Sequence, residues 1–256
     1  MTQGNTTIDI KPGQSIGRQR LLRLLSGMGI SREPIRTSSF FLTPGDIPGL
    51  LANSGGEGGA WLRRLHELGN NVMRSDTGLA GFRSGVRGVV VVPPFPLTSS
   101  CFSTRWDIGP LANLLQADFT IGVVLLRLGR FSVAVYEGQS LVSSKTDSRY
   151  VKGRHSAGGT SQQRYVRIRE GQIHRLYDKT CQAVRDQFGP YDDRLDYVFL
   201  GGESQTLNGF LKECHQLERL KATLLNRRLN VRDPKQDTLD RVGETLWESR
   251  IWPVEW

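Results

Sequence analysis

The chain has 256 residues, with 34 Lys and Arg against 25 Asp and Glu for a formal net charge of +9, and this length accommodates one large domain or two small ones around a substantial core. Cys101, Cys181 and Cys214 are far apart and lack any CxxC spacing, which argues against a disulfide framework or a zinc site and for a reducing compartment. No apolar run approaches the roughly 20 residues needed to span a bilayer and the polar N-terminus has no signal-peptide core, so the expectation is a soluble cytoplasmic protein, with no membrane contact, whose basic balance suits an anionic partner.

Ser15 can cap a first helix in which Leu21, Leu24, Leu25 and Met28 follow the i, i+3, i+4, i+7 rule, with Gly27 and Gly29 ending it. Thr43-Pro44-Gly45-Asp46 reads as the opening of a second, short helix. Ser54-Gly55-Gly56-Glu57-Gly58-Gly59 reads as a flexible connection. It makes a poor phosphate cradle, because no Lys-Ser/Thr pair follows it. Ala60 to Leu68 continues as a helix, Val86 to Val92 is a β-branched strand stopped by Pro93-Pro94-Phe95-Pro96, and an Asp107 cap starts a helix to Gln116. The first unit, residues 1–116, is therefore expected to be smaller and mainly helical.

From about Phe119 the pattern changes. Phe119 to Leu128 and Phe131 to Tyr136 form a hairpin about Gly129-Arg130, and Leu141 to Lys145 adds a strand. After a polar loop, Tyr165, Ile168, Gln172, Leu176, Thr180, Val184 and Phe188 recur at helical spacing, giving a long amphipathic helix closed by Gly189-Pro190. Arg164, Arg167, Arg169, Arg175 and Lys179 are assigned to its other face. Leu195 to Leu200 reads as a buried strand, and Glu203 to Glu213, Leu217 to Leu225 and Thr238 to Glu248 as helices. Hairpin strands followed by βα units make an α/β unit, residues 117–256, with a mixed sheet. Gly201-Gly202-Glu203-Ser204 reads as a strand-to-helix turn in preference to a phosphate site, and Trp247, Trp252 and Trp256 read as packing residues.

The basic excess is local. From Lys145 to Lys179 there are nine Lys or Arg and three Asp or Glu, a net +6 within the total of +9, which favours a phosphate-rich partner over general solubility. Its centre is Lys152-Gly153-Arg154-His155-Ser156-Ala157-Gly158-Gly159-Thr160-Ser161-Gln162-Gln163-Arg164, a glycine pair beside two neutral amides set among cations. Glycine lets the backbone press against a ligand, and glutamine donates and accepts hydrogen bonds with no charge to desolvate. His155 and His174 read more readily as surface histidines than as general bases.

The run Gly158-Gly159-Thr160-Ser161-Gln162-Gln163-Arg164-Tyr165-Val166-Arg167-Ile168-Arg169 resembles the GGQ loop and following helix of the middle domain of eukaryotic and archaeal class I release factors. It is more similar to their divergent relatives, the Vms-like release factors, which are peptidyl-tRNA hydrolases of ribosome quality control. In release factors the glutamine directly follows the two glycines, whereas here Thr160 and Ser161 intervene; the Vms-like pattern Gly-x-x-Gln fits Gly159 to Gln162. The resemblance implies an RNase H-like mixed sheet with flanking helices. It also implies release of a nascent chain by ester hydrolysis, with the loop in the peptidyl-transferase centre of the large ribosomal subunit. Gly158, Gly159, Gln162 and Gln163 would then be catalytic, with Gln162 favoured over Gln163. Lys152, Arg154, His155, Arg164, Arg167, Arg169 and Arg175 would bind RNA. The implied partners are large-subunit rRNA and peptidyl-tRNA rather than DNA, with no metal or other cofactor. Two other readings stand beside this one: endonucleolytic cleavage of tRNA near its CCA end, and ribosome or tRNA binding without chemistry.

Overall fold

The computed structural model describes residues 10–29, 36–46, 49, 55–153 and 160–256. In chain order its elements are β1 (Gln14–Ile16), α1 (Arg18–Gly29), β2 (Thr37–Leu42), α2 (Gly55–Leu68), α3 (Asn70–Met73), β3 (Leu79–Ser84), β4 (Arg87–Val92), β5 (Cys101–Ser103) and α4 (Gly109–Gln116). They continue with β6 (Thr120–Arg127), β7 (Arg130–Glu137), β8 (Ser140–Ser148), α5 (Thr160–Phe188), β9 (Tyr197–Gly202), α6 (Ser204–Glu213), β10 (Thr223–Leu229), α7 (Gln236–Leu246) and β11 (Ser249–Glu255). The chain divides into two units, Met1–Ala117 with Glu244–Trp256, and Asp118–Gly243.

The first unit is organised by a six-stranded antiparallel sheet in the order β1-β11-β4-β3-β2-β5, where the sequence had suggested mainly helices. The strands were hidden because β2 and β3 interleave Ser, Gly and Ala with their apolar residues, which weakens the β signature. Burial still drives them. Phe40, Phe41, Leu42, Leu79, Ala80 and Phe82 are all essentially inaccessible. The glycine-rich run expected to be a linker is helical from Gly55, because Trp61 and Leu65, one and two turns beyond Glu57, are fully buried and Glu57 faces Arg83 and Arg36 at 3.7 and 3.4 Å. Pro44 to Asp46 is a turn, in which the Asp46 carboxylate accepts from the Ser100 and Thr43 hydroxyls at 2.7 and 3.0 Å. The late tryptophans pack as read: Trp247 lies against Phe95, and Trp256 against Trp61, at centroid distances of 4.8 and 4.7 Å. The sequence reading assigned the last residues to the second unit, but β11 pairs with β1 and β4.

The second unit carries a five-stranded sheet ordered β10-β9-β6-β7-β8. Counted from its own first strand, the order is 5-4-1-2-3. The first, fourth and fifth strands are parallel, and the second is antiparallel to its neighbours, which is the RNase H-like arrangement. Alternation along the strands sends Val124, Leu126, Phe131, Val133 and Val135 to one face, where Leu176, Val184 and Phe188 of α5 and Leu207 and Phe210 of α6 complete the core. On α7, the Leu239 carbonyl accepts from the buried Tyr136 hydroxyl at 2.7 Å. The stretch expected to be a helix from Leu217 to Leu225 is one short 3₁₀ turn followed by β10, with Leu225 and Leu229 buried.

Two glycines permit close approaches in this unit, one between sheet and helix and one between neighbouring strands. Gly122 on β6 leaves room for the Phe188 ring, whose Cζ would lie 2.7 Å from any Cβ at that position. Gly202 ends β9 at φ +129, with the Leu126 carbonyl where a side chain would begin, so the Gly201-Gly202 pair is accounted for by strand geometry. One expectation about cysteine is overturned: Cys181 and Cys214 form a disulfide. They are 33 residues apart in sequence, but α5 and the end of α6 pack on the same sheet face and bring their Cα atoms to 5.4 Å. Cys101 is free and exposed.

Candidate functional site

The site is built on α5, a helix of 29 residues whose two ends have different environments. From Leu176 onward it is rooted: Leu176, Tyr177, Thr180, Ala183, Val184 and Phe188 are buried on the sheet. Tyr177 packs against α6, where Gly209 leaves space for its hydroxyl, and the disulfide joins the same two helices. From Thr160 to Leu176 the helix advances about 24 Å before its first buried residue. All six residues from Gln162 to Arg167 are exposed. Such a stretch presents every face to its surroundings, since six residues exceed one full turn. A helix end of this kind is held by its root and by what grips its flank.

Among the described residues, the flank is held at Lys152. The backbone N–H of Lys152 donates to Gln172 Oε1 at 2.9 Å, and Arg169 Nε donates to the Lys152 carbonyl oxygen at 3.0 Å. Val151 is packed against the core. The chain leaving β8 is therefore fixed to α5 at Lys152, immediately before the glycine-containing segment, and the description resumes at Thr160 as helix. Lys152 Nζ lies 5.0 Å from the centroid of the Tyr165 ring, a cation–π contact.

The structure sorts the sequence-derived candidates as follows. Gln162 and Gln163 are exposed in the first turn of α5, which starts five residues before the helix read from periodicity at Tyr165. Arg164, Arg167 and Arg175 are exposed and, at 100° per residue, lie on one stripe of the helix. Gln162, Tyr165, Val166 and Arg169 share a different face by the i, i+3, i+4, i+7 relation, the face that is buried further along. Arg169 thus does not belong to the outward arginine stripe; its side chain is turned to the Lys152 carbonyl. Arg154, His155, Gly158 and Gly159 lie outside the described residues. His174 is exposed, with Nδ1 2.8 Å from Glu213 Oε1, and that hydrogen bond and charge raise its pKa above the ordinary histidine value. It bridges α5 to α6.

The electrostatics favour an anion at this end of the helix. No acidic residue occupies the first turn, so the positive end of the helix dipole is not offset by its own carboxylates. Arg164, Arg167 and Lys152 add full charges. Periodicity also misplaced Tyr165: its spacing suits a core position, yet it is 48% exposed. Tyr150, 77% exposed just before the fixed Lys152, carries no signal in the sequence because it sits in no periodic element.

A family model described as the Actinobacteria/chloroflexi VLRF1 release factor matches residues 119–252, just over half of the chain. Among curated proteins, the chain is 26% identical over 149 residues to peptide chain release factor subunit 1 of Archaeoglobus fulgidus, covering 58% of this chain and 37% of that protein. It is 31% identical over 108 residues to the same factor of Methanosphaera stadtmanae, covering 42% and 26%. The chain therefore spans about a third or less of these relatives' length. Among solved structures, the archaeal translation termination factor aRF1 aligns with 91% of this chain and 73% of its own, at 17% identity and a TM-score of 0.37.

Proposed function

The chain belongs to the Actinobacteria/chloroflexi VLRF1 release factor family, and on that premise we propose that it releases nascent peptides from stalled large ribosomal subunits by hydrolysing peptidyl-tRNA. The observation that carries the reading is the exposed, cationic end of α5, which presents Gln162 and Gln163 about 24 Å beyond its buried root. A narrow polyanionic centre is reached by a thin projection, and a helix end with its flank fixed at Lys152 is one.

In the proposed reaction a water molecule attacks the ester carbonyl carbon and the bond from that carbon to the tRNA ribose oxygen breaks; the ribose oxygen takes one proton of the water to become a hydroxyl, and the peptide leaves as a carboxylate with the other proton passing to solvent. The protein needs no nucleophile of its own. Its contribution is to hold water in line with the carbonyl and to offer a donor where negative charge develops. The Gln162 amide can do both because it carries a donor and an acceptor on one planar group. Arg164, Arg167 and Arg175 on the opposite stripe grip RNA phosphates, with Lys152 at the fixed stem. Gly158 and Gly159, immediately upstream, give the backbone its close approach.

The test is to incubate the full chain with large subunits carrying peptidyl-tRNA labelled on both peptide and tRNA, and to follow both products. Free peptide together with tRNA retaining an intact CCA end is expected. A shortened tRNA end would replace hydrolysis by endonucleolytic cleavage, and intact peptidyl-tRNA despite co-sedimentation would leave a binding factor.

A further inference from the structure

Two aromatic side chains stand exposed at the stem of this site without a role in the reaction above. Tyr150 is 77% exposed and Tyr165 is 48% exposed. Val151 is packed against the core, and the exposed Tyr150 and the half-buried Lys152 flank it in sequence. Lys152 in turn lies over the Tyr165 ring at 5.0 Å. Tyr165 is three residues after Gln162 on the same helix face, a rise of about 4.5 Å. Lys152 and Tyr165 thus share one surface, directly below the glutamine, with Tyr150 two residues before the lysine and the stripe of Arg164, Arg167 and Arg175 on the opposite side of the helix.

Exposed aromatics in a cationic setting suit one kind of ligand. Phosphate alone calls for Lys and Arg, and double-helical RNA hides its base faces in the stack. Unpaired nucleotides expose a π-face and a phosphate together, and proteins that hold them combine aromatic platforms with basic side chains. We propose that Tyr150 and Tyr165 are stacking platforms for unpaired RNA nucleotides. The proposal rests on the release-factor reading only for the RNA's identity, as tRNA 3′ end or rRNA loop. The surface itself should bind single-stranded RNA whether or not hydrolysis occurs.

Stacking and phosphate contact have different signatures. Neutralising a phosphate releases counterions and sets the salt dependence of binding, whereas stacking releases none. The experiment measures the dissociation constant of the full chain for a short unstructured oligouridylate and for an RNA duplex of equal length, across a series of salt concentrations. Y150A and Y165A should each weaken oligouridylate binding roughly tenfold, the scale of removing one base–aromatic stack. The salt slope and the affinity for duplex should be unchanged. Y150F and Y165F should bind like the unaltered chain, because phenylalanine keeps the ring.

Wild-type affinity in both alanine variants would overturn the proposal. So would an equal loss on duplex, which would mean a disturbed backbone, or a phenylalanine variant as weak as the alanine one, which would assign the contact to the hydroxyl. Vesicles of phosphatidylglycerol form a further arm: vesicle binding abolished in the alanine variants while RNA binding persists would transfer the surface to a lipid headgroup and sink the idea. If stacking fails but peptide release persists, the release reading stands. If release fails while the alanine variants still lose oligouridylate binding, the stacking surface stands alone.

Discussion

His174 illustrates how one side chain can look catalytic and serve the scaffold. Its imidazole is 2.8 Å from the Glu213 carboxylate and its pKa is raised, first by that hydrogen bond and then by the charge of Glu213. The raised folded value fixes the sign of linkage. The pairing favours the folded state fully below the unfolded histidine pKa of about 6.5 and loses its effect as pH rises through the folded value. An NMR titration of His174 should give a midpoint above the ordinary one, and Glu213→Gln should move it back down; an unshifted midpoint would remove the bridge. At this scale the sequence was informative where a residue's chemistry is local. Asp107 accepts from the Gly109 N–H at 2.8 Å, next to the start of the helix it was read to cap. It was uninformative where the neighbour is distant in sequence. Tyr165 has the spacing of a core residue and is exposed, and Arg169 was read as an outward cation and is turned to the Lys152 carbonyl 17 positions away.

Among the elements, α5 connects fold to site, because its rooted half must hold still for its exposed half to be presented. The contact of Phe188 with Gly122 is one of two close glycine contacts in that root, beside Tyr177 on Gly209. Gly122→Ala should therefore lower unfolding free energy by about 1–3 kcal/mol, the usual cost of overpacking a filled core. Phe188→Leu in the same chain should recover part of the loss by shortening the side chain the new methyl meets. Urea denaturation of the three proteins measures this, and an unaltered midpoint in Gly122→Ala would show that the helix end adjusts freely. The long helix and the hairpin of β6 and β7 were legible because their apolar periods are long and uninterrupted. The strands β2, β3, β10 and β11 were not. Small residues dilute the first two, β10 alternates only weakly with buried Leu225 and Leu229, and Pro253 weakens the strand signature of β11. The disulfide was illegible for another reason: only the packing of α5 and α6 on one sheet face brings Cys181 and Cys214 together.

Over the whole molecule, the proposed function makes charge the determinant of how the chain meets RNA. Two-thirds of the net +9 lies between Lys145 and Lys179, and Arg164, Arg167 and Arg175 share one exposed stripe of α5. Replacing Arg164, Arg167 and Arg175 together by Gln should weaken large-subunit binding and flatten its salt dependence, by about 0.7–0.9 in the log–log slope for each phosphate no longer neutralised. Binding isotherms at several salt concentrations check this, and an unchanged slope would place the RNA contact elsewhere. The central claim is that Gln162 acts on the ester while the cations only hold the complex. Single-turnover peptide release from peptidyl-tRNA bound to large subunits, measured with co-sedimentation of the same proteins, separates the two. Gln162→Ala should slow release by about 10²- to 10³-fold, the scale of removing one oxyanion donor, with co-sedimentation nearly unchanged and Gln163→Ala affected less. Full-rate release by Gln162→Ala and by the Gln162/Gln163 double alanine variant would contradict the account.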